Sequence, residues 1–232
     1  MSLKDDLHSE INKFLVSDWE VTRGRAVPAT SDVGLGTKSV LLEKAVVFYA
    51  DMCGSTKMVD GYKWWFSAGV YKSYLLCAAK IVKANGGDIT AYDGDRIMAI
   101  FIGENKFDNA AKAGLQLNWA VKTIVNGAIK KKWPTQDFSV AHTVGIDVSD
   151  LHVARTGVRG DNDLVWVGRA ANHAAKLTDL DTAYSTWITK DAYLELSNSV
   201  KTSSDGRNMW VEHRWTKMND LAIYGSTWWW AF

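Results

Sequence analysis

Apolar runs and helix-like repeats alternate along most of the chain. Residues 44–50 (KAVVFYA) form an unbroken apolar run of β-branched and aromatic side chains, typical of a strand covered on both faces. Helical spacing follows at 61–84 and again at 107–127. The first of these helices is predicted to end at Asn85-Gly86-Gly87, because glycine favours the left-handed conformation that closes a helix. This order predicts strands interleaved with helices.

The hairpin signal at residues 93–95 sets the sheet type. Strand-like runs at 88–92 and 96–102 flank Asp93-Gly94-Asp95, a sequence that favours a tight antiparallel turn. The predicted fold class is therefore α+β, a mostly antiparallel sheet with helices against one face on a ferredoxin-like plan. The other predicted elements are strands at 138–147 and 152–158, a helix at 168–180, a strand and helix within 186–197, and strands near 210–216 and 220–225.

The N-terminal segment has a different pattern from the rest. Leu3, Leu7, Ile11 and Leu15 are spaced by four residues, which predicts a short amphipathic helix that must pack on something. Residues 17–43 show no sustained period and are interpreted as a connecting arm. We therefore expect an N-terminal helix and arm over 1–43, which packs on its own or a partner domain, and one compact domain over 44–232.

Composition and charge narrow the functional classes. The formal net charge is +1 over 232 residues, so no basic field favours nucleic-acid binding. No apolar stretch approaches the length of about 18 residues that a membrane span needs, and the N-terminus lacks the apolar core of a signal peptide. The two cysteines form neither a disulfide framework nor a zinc pattern. We expect a cytoplasmic protein that binds neither membrane nor nucleic acid.

Two aspartates supply the candidate chemistry. Asp51 ends the first apolar strand, and Asp95 lies in the hairpin. If that strand pairs antiparallel with the hairpin, both carboxylates reach the same end of the sheet. Oxygen ligands of this kind suit Mg²⁺ or Mn²⁺, and the turn at 53–56 offers backbone amides to phosphate. Each motif alone is more often a cap or an ordinary turn, and only their pairing favours catalysis.

Three ordered blocks resemble the class III nucleotidyl cyclases. VVFYADMCGST resembles the first metal motif of that family, and GGDITAYDGDRIMAIF resembles the second. VGIDVSDLHVARTGVRGDNDLVWVGRAANHAAKL resembles the third block, which ends in a Gly-x-x-x-Asn-x-Ala-x-Arg-Leu pattern. Together the blocks span about residues 44 to 190, and the resemblance implies the cyclase fold and a head-to-tail homodimer.

The resemblance also implies roles for individual residues. Asp51 and Asp95 match the ligands of two divalent cations, Mg²⁺ or Mn²⁺, with Met52 able to add its backbone carbonyl. Asn172 matches the asparagine that orients the ribose. Lys176 stands where the family usually has a transition-state arginine; lysine keeps the charge but loses the planar fork of donors. In the family the last two come from the opposite protomer. The triphosphate would bind the turn formed by Cys53, Gly54, Ser55 and Thr56.

Departures from the family pattern concern the base. The resemblance places adenine-reading side chains at Ala91 and Val165, and neither can hydrogen-bond a base edge through its side chain. Bulky Tyr49 lies two residues before Asp51, and Trp166 adjoins Val165. Both would narrow the pocket toward a one-ring base, although ordinary core packing explains them equally well. Arg96 adds a donor for a base carbonyl or a phosphate. Guanine-reading side chains are also missing.

The combined pattern is most similar to the pyrimidine cyclases of bacterial anti-phage systems. That similarity implies conversion of UTP, or CTP, to a cyclic monophosphate that activates a separate effector in antiviral defence. An adenylate or guanylate cyclase with atypical base readers is the first alternative. A catalytically silent nucleotide-binding domain is the second, favoured by lysine at 176. A nucleic-acid polymerase palm is disfavoured by the near-neutral charge.

Overall fold

The computed structural model describes residues 2–158 and 160–232. Its strands are β1 (Glu20–Arg23), β2 (Lys38–Cys53), β3 (Asp88–Asp93), β4 (Arg96–Phe101), β5 (Ala141–Val158), β6 (Asp161–Val167), β7 (Thr186–Thr189), β8 (Val211–Trp215) and β9 (Leu221–Ser226). Its α-helices are α1 (Leu3–Val16), α2 (Ser55–Gly61), α3 (Trp64–Ala84), α4 (Lys106–Ala120), α5 (Asn126–Lys132), α6 (Arg169–Leu177), α7 (Lys190–Leu194) and α8 (Asn198–Lys201).

One sheet organises the molecule. Within the described ranges its strand order is β3-β4-β2-β5-β7-β9-β8, with β1 added beside β2 and β6 beside β5. The pairings are antiparallel except β1 with β2 and β5 with β7. The predicted α+β class and mostly antiparallel sheet are therefore confirmed.

The central strands β2 and β5 are longer than the pattern predicted. β2 begins at Lys38, ahead of the boundary expected at residues 43/44, and β5 is continuous where two strands at 138–147 and 152–158 were predicted. The polar interruption at Asp150 is opposite a bulge, since its carboxylate accepts a 2.7 Å hydrogen bond from the amide of Lys44, which has φ of 49°. A bulge bends a strand without ending it, so the break in alternation marks no turn.

Two helix predictions also differ from the structure. The helix predicted at 61–84 is divided, because α2 ends at Gly61 and the extended residues Tyr62 and Lys63 separate it from α3. The helix predicted at 107–127 continues instead through a π-helical turn, Val121–Val125, into α5. Strand β6 was not predicted; its apolar run covers only four residues, 164–167, and follows three polar ones.

Helices cover both faces of the sheet, so the prediction of helices against one face was wrong. On one face Phe48, Ala50 and Met52 of β2 join the main core with α3 and α4. On the other face Val47 packs in a smaller cluster with Ala174 of α6. The continuous apolar run of β2 follows from this two-sided burial.

Helix α1 lies outside both clusters. It begins with a capping box between Ser2 and Asp5, which satisfies the free amides of its first turn. None of its 14 residues is buried, and the side chains of Leu3 and Leu15 are 75% and 79% exposed. No helix in the described part of the chain has the length and apolar character required to cross a bilayer.

Candidate active site

The two predicted aspartates meet at one end of the sheet. β2 runs antiparallel to β4, and Asp51 is the register partner of Arg96. The β3–β4 hairpin closes at the pair Asp93 and Arg96, which places Asp95 in the turn directly beside Asp51. Both aspartates line one cavity of about 560 Å³. The antiparallel pairing on which the sequence argument depended is therefore present.

Arg96 lies between the carboxylates of Asp51 and Asp179. Its Nη2 donates a 2.9 Å hydrogen bond to Oδ2 of Asp51, and it lies 4.0 Å from Oδ1 of Asp179. The side chains of Arg96 and Asp51 are 30% and 19% exposed, so the pair is only partly screened by solvent. The hydrogen bond that Arg96 donates to the Asp51 carboxylate raises the pKa of Arg96 above its ordinary value. One carboxylate oxygen of Asp51 is thus already engaged by a cation.

The turn after β2 brings free amides to the same cavity. Gly54 adopts φ of 73°, a left-handed conformation that glycine accepts without strain, and it caps α2. Ser55 and Thr56 line the cavity and belong to the first turn of α2, whose amides have no intrahelical acceptor. The thiol of Cys53 is 3.4 Å from Oγ1 of Thr143, and burial raises its pKa, so it remains protonated and fills space.

The residues predicted to bind metal and triphosphate all line this cavity. All of Asp51, Met52, Cys53, Gly54, Ser55, Thr56, Asp95 and Arg96 line it. Sequence reasoning missed Thr178, Asp179 and Leu180, which follow α6 and form the opposite wall. No local signal marks them, since they reach the cavity only because α6 packs on the second face of the sheet.

The oxygen atoms of Asp51, Asp95 and Met52 fit a divalent cation that is also coordinated by oxygen atoms of the substrate. Among the residues that the structure describes, no group of three or more histidine, cysteine or acidic side chains could hold a metal. Two carboxylates and one carbonyl, from Asp51, Asp95 and Met52, leave coordination positions for phosphate and water. Mg²⁺ is bound in this way at nucleotide sites, by one or two carboxylates with substrate phosphates.

The proposed base-pocket residues lie in several places. Tyr49, Ala91 and Trp166 pack half-buried against the second-face cluster, the same side of β2 to which the alternation of side chains directs Asp51. Val165 lies on the other face of β6, where it lines a separate groove with Phe14 of α1. Tyr49 and Ala91 are therefore close together, because both pair with Met98 of β4. Trp166 is not near them, since it pairs with Val153, the register partner of Val40 toward the other end of β2. Val165 also lies elsewhere, and the fifth predicted residue, Arg96, lines the cavity of the aspartates.

Asn172 and Lys176 lie apart from the aspartates. Both are exposed, and their spacing of four residues puts them on one face of α6. Neither lines the cavity that contains Asp51 and Asp95 of the same chain. The structure therefore does not bring the four residues into one cavity of a single chain.

The chain is similar to known nucleotidyl cyclases. No family model matches the chain. A uridylate cyclase of Xanthomonas perforans is 47% identical over 99% of both chains, and one of Burkholderia cepacia is 48% identical over 100% of both. A uridylate cyclase of Rhodovulum is 32% identical over 99% of this chain and 98% of its own.

Solved structures share the fold at low identity. A bacterial light-regulated adenylyl cyclase superposes with a TM-score of 0.69 at 17% identity, covering 82% of this chain and 53% of its own. A guanylyl cyclase gives a TM-score of 0.66 at 16% identity, covering 80% of this chain and 92% of its own. At such identity the likeness concerns the fold alone.

Proposed function

The chain belongs to the uridylate cyclase family and is a nucleotidyl cyclase with the class III fold, and from this premise we propose that it converts UTP to 3′,5′-cyclic UMP and pyrophosphate. The observation that carries the proposal is sequence identity of 47% and 48% to two uridylate cyclases over essentially the whole chain. The paired carboxylates beside a turn of free amides support the same chemistry. CTP is the other pyrimidine substrate that the site residues allow.

Asp51 and Asp95, with the carbonyl of Met52, would hold two divalent cations, Mg²⁺ or Mn²⁺. When bound, such a pair activates the ribose 3′-hydroxyl and neutralises the charge on the triphosphate and on the departing pyrophosphate. In the reaction the 3′-oxygen loses its proton and bonds to the α-phosphorus, while the bond from that phosphorus to the β-phosphate oxygen breaks. The side chains position and neutralise charge, and form no covalent bond with the nucleotide.

The turn after β2 would bind the triphosphate. The amides of Gly54, Ser55 and Thr56 line the cavity beside the carboxylates and can donate to phosphate oxygens. Cys53 would contribute its backbone, since its thiol contacts Thr143. This binding holds the α-phosphorus in place for attack from the ribose.

Asn172 would orient the ribose, and Lys176 would neutralise charge that develops on the phosphoryl oxygens. Both lie outside the cavity of their own chain and are exposed on α6. We therefore propose a head-to-tail homodimer in which each site takes its aspartates from one protomer and α6 from the other. An ammonium acts as a point charge, so Lys176 gives less directional binding than arginine would.

A small base pocket would exclude purines. Tyr49 is large and half-buried on the face of β2 that carries Asp51, and Ala91 offers no side-chain donor there. Trp166 packs on the same face of the sheet but near Val40, toward the other end of β2, so it would not line this pocket. Arg96 is the donor that could reach a base carbonyl or a phosphate. Val165 lines the α1 groove instead and offers no polar side chain to a base.

The proposed biological role is production of a second messenger in antiviral defence in the cytoplasm. The product would act on a separate effector, which links the two proteins through the cyclic nucleotide. No nucleic-acid or membrane partner is proposed.

Substrate profiling tests the proposal. The purified protein is incubated with ATP, GTP, CTP or UTP and Mn²⁺, and products are separated by mass. We expect cyclic UMP, lost in Asp51→Asn and Asp95→Asn but kept in Asp60→Asn, an exposed aspartate of α2 outside the cavity. Cyclic AMP or GMP would show that the base assignment is wrong. No product from any nucleotide would favour a silent nucleotide-binding domain.

A further inference from the structure

A buried carboxylate lies beneath the helix that carries Asn172 and Lys176. The side chain of Asp147, on β5, is fully buried, with 0% of its surface exposed. Helix α6 lies over it and contributes Arg169 and His173, and the hydroxyl of Thr189 on β7 donates a hydrogen bond to Oδ1. Sequence analysis gave no role to any of these residues.

Two cations or potential cations of α6 converge on this carboxylate. Nδ1 of His173 lies 3.1 Å from Oδ2 of Asp147, and Nε of Arg169 lies 3.4 Å from the same oxygen. The contact with His173 is close but not aligned as a hydrogen bond. Burial raises the pKa of the Asp147 carboxyl, while Thr189, Arg169 and His173 act in the opposite direction. The charged form of Asp147 therefore depends on these partners.

The backbone of α6 is already pressed against β5. A Cβ atom at Gly145 would lie 2.1 Å from the carbonyl oxygen of Ala174, so helix and strand touch at this point. At the start of the helix, the amide of Ala170 donates to Oγ of Ser149 at 3.0 Å. These contacts, with the buried side chains of Ala170, Ala174 and Leu177, fix the distance of α6 from the sheet and limit its rotation about its own axis.

The contacts of His173 and Arg169 with Asp147 define the rotation of α6 about its axis. His173 directly follows Asn172 and points inward, where its ring also contacts the edge of Trp215 at a centroid distance of 5.8 Å. Arg169 is one turn earlier, so the two contacts with Asp147 lie along one inward stripe of the helix. A rotation of α6 would break both contacts and would move Asn172 and Lys176 together.

A buried ion pair is a weak source of stability, since apolar packing of similar volume often serves as well. An ion pair, however, requires a specific orientation of its two partners, whereas apolar packing does not. We propose that Asp147, with His173 and Arg169, is a positioning residue of the cyclase reaction that sets the rotation of α6 and thereby the places of Asn172 and Lys176. This inference rests on the proposed function of those two side chains.

Asp147→Asn removes the charge at nearly constant volume and keeps a partner for Thr189. We expect kcat for cyclic UMP formation to fall about 10- to 100-fold, as a small misplacement of catalytic groups does, with KM for UTP within about twofold. Arg169 is not left as a buried charge, because it also donates a 2.6 Å hydrogen bond to exposed Asp191. The melting temperature should therefore change little.

Variants at neighbouring positions provide rescue and control. His173→Ala should reproduce the loss in kcat, and His173→Asn should recover most of it, because an asparagine amide can occupy the place of Nδ1. Asp191→Asn is the matched control, since it removes a carboxylate that binds the same arginine but lies on the surface. We expect it to leave kcat unchanged within about twofold. A loss equal to that of Asp147→Asn would overturn the proposal.

A double-mutant cycle separates positioning from a general structural effect. If Asp147 acts through α6, its substitution should cost little further kcat in a Lys176→Ala or Asn172→Ala background that retains measurable turnover. Multiplicative losses in both backgrounds would contradict the proposal.

Hydrogen exchange supplies a readout that needs no turnover. Peptides covering 169–177 should exchange faster in Asp147→Asn than in the wild type, while those of α3 should not change. If the wild type forms no cyclic product, the proposed function fails and exchange still tests the role of Asp147. Unchanged exchange in α6 would overturn the positioning role, including for a variant whose kinetics could not be measured.

Discussion

The carboxylate of Asp51 has two partners, Arg96 in the structure and a cation in the proposed function. Asp51 accepts a 2.9 Å hydrogen bond from Arg96 and is also the proposed ligand of a cation. A guanidinium and a divalent cation repel each other across a shared carboxylate. The arginine that sequence analysis placed near the base therefore also opposes metal binding at Asp51, and nucleotide phosphate would relieve this repulsion.

Substitution of Arg96 should change cation binding and UTP binding in opposite directions. In Arg96→Gln we expect Mn²⁺ to bind about two- to tenfold more tightly without nucleotide, because one like charge is removed from a partly buried site. KM for UTP should rise at the same time. Titration of free Mn²⁺ by electron paramagnetic resonance measures the first effect.

Arg214→Gln is the control for Arg96→Gln. Arg214 is exposed on β8, outside the cavity of the aspartates, and should leave Mn²⁺ affinity unchanged. Equal Mn²⁺ affinity in the wild type and Arg96→Gln would contradict the competition.

At the scale of elements, the contact of α6 with β5 positions half of the proposed site. The pattern predicted a helix over 168–180 and a strand over 138–147, but not that they touch. They touch because Gly145 has no side chain, so the carbonyl of Ala174 reaches the strand. A local sequence pattern does not contain this pairing.

Two glycine substitutions test the closeness of that contact. Gly145→Ala should lower the free energy of unfolding by about 1–3 kcal/mol, because the added methyl group has no space against the helix backbone. Gly127→Ala is the matched control, since Gly127 lies in α5 with nothing within 4 Å of the added atom. It should raise stability by about 0.5–1 kcal/mol through helix propensity. Urea unfolding measures both, and equal destabilisation would be inconsistent with a specific contact at Gly145.

At the scale of the whole molecule, the proposed site residues lie in two separate places on one chain. The aspartates line one cavity, while Asn172 and Lys176 are exposed elsewhere on the surface. Helix α1 likewise buries none of its residues, and Leu3, Leu7 and Ile11 remain at least 49% exposed. Both features agree with the proposal that the working unit contains two copies.

Mixing two inactive variants tests the shared site. Asp51→Asn and Asn172→Ala protomers, each with strongly reduced activity alone, should recover about a quarter of wild-type activity when denatured together and refolded at equal amounts. Half of the dimers are then mixed, and each mixed dimer has one intact site of two.

A protomer with both substitutions, mixed with the Asp51→Asn variant, is the control. No combination of these chains forms an intact site, so no recovery is expected. Recovery absent from the first mixture, with dimers formed, would rule out sharing between protomers.

The sequence by itself determined the features that are local. Alternation and apolar runs predicted the sheet, the hairpin at 93–95 and the order of elements, because side-chain period and turn chemistry depend on a few neighbouring residues. The same local signals identified Asp51, Asp95 and the turn at 53–56. The order of the three motifs along the chain also indicated the family.

Only the tertiary structure decided which of these parts meet. It joined two predicted strands into β5 across a bulge at Lys44 and placed α6 on the opposite face of the sheet from α3. It paired Arg96 with Asp51 and buried Asp147 beneath His173. These contacts join residues distant along the chain, and their geometry is fixed by packing of the two sheet faces, which a local pattern does not encode.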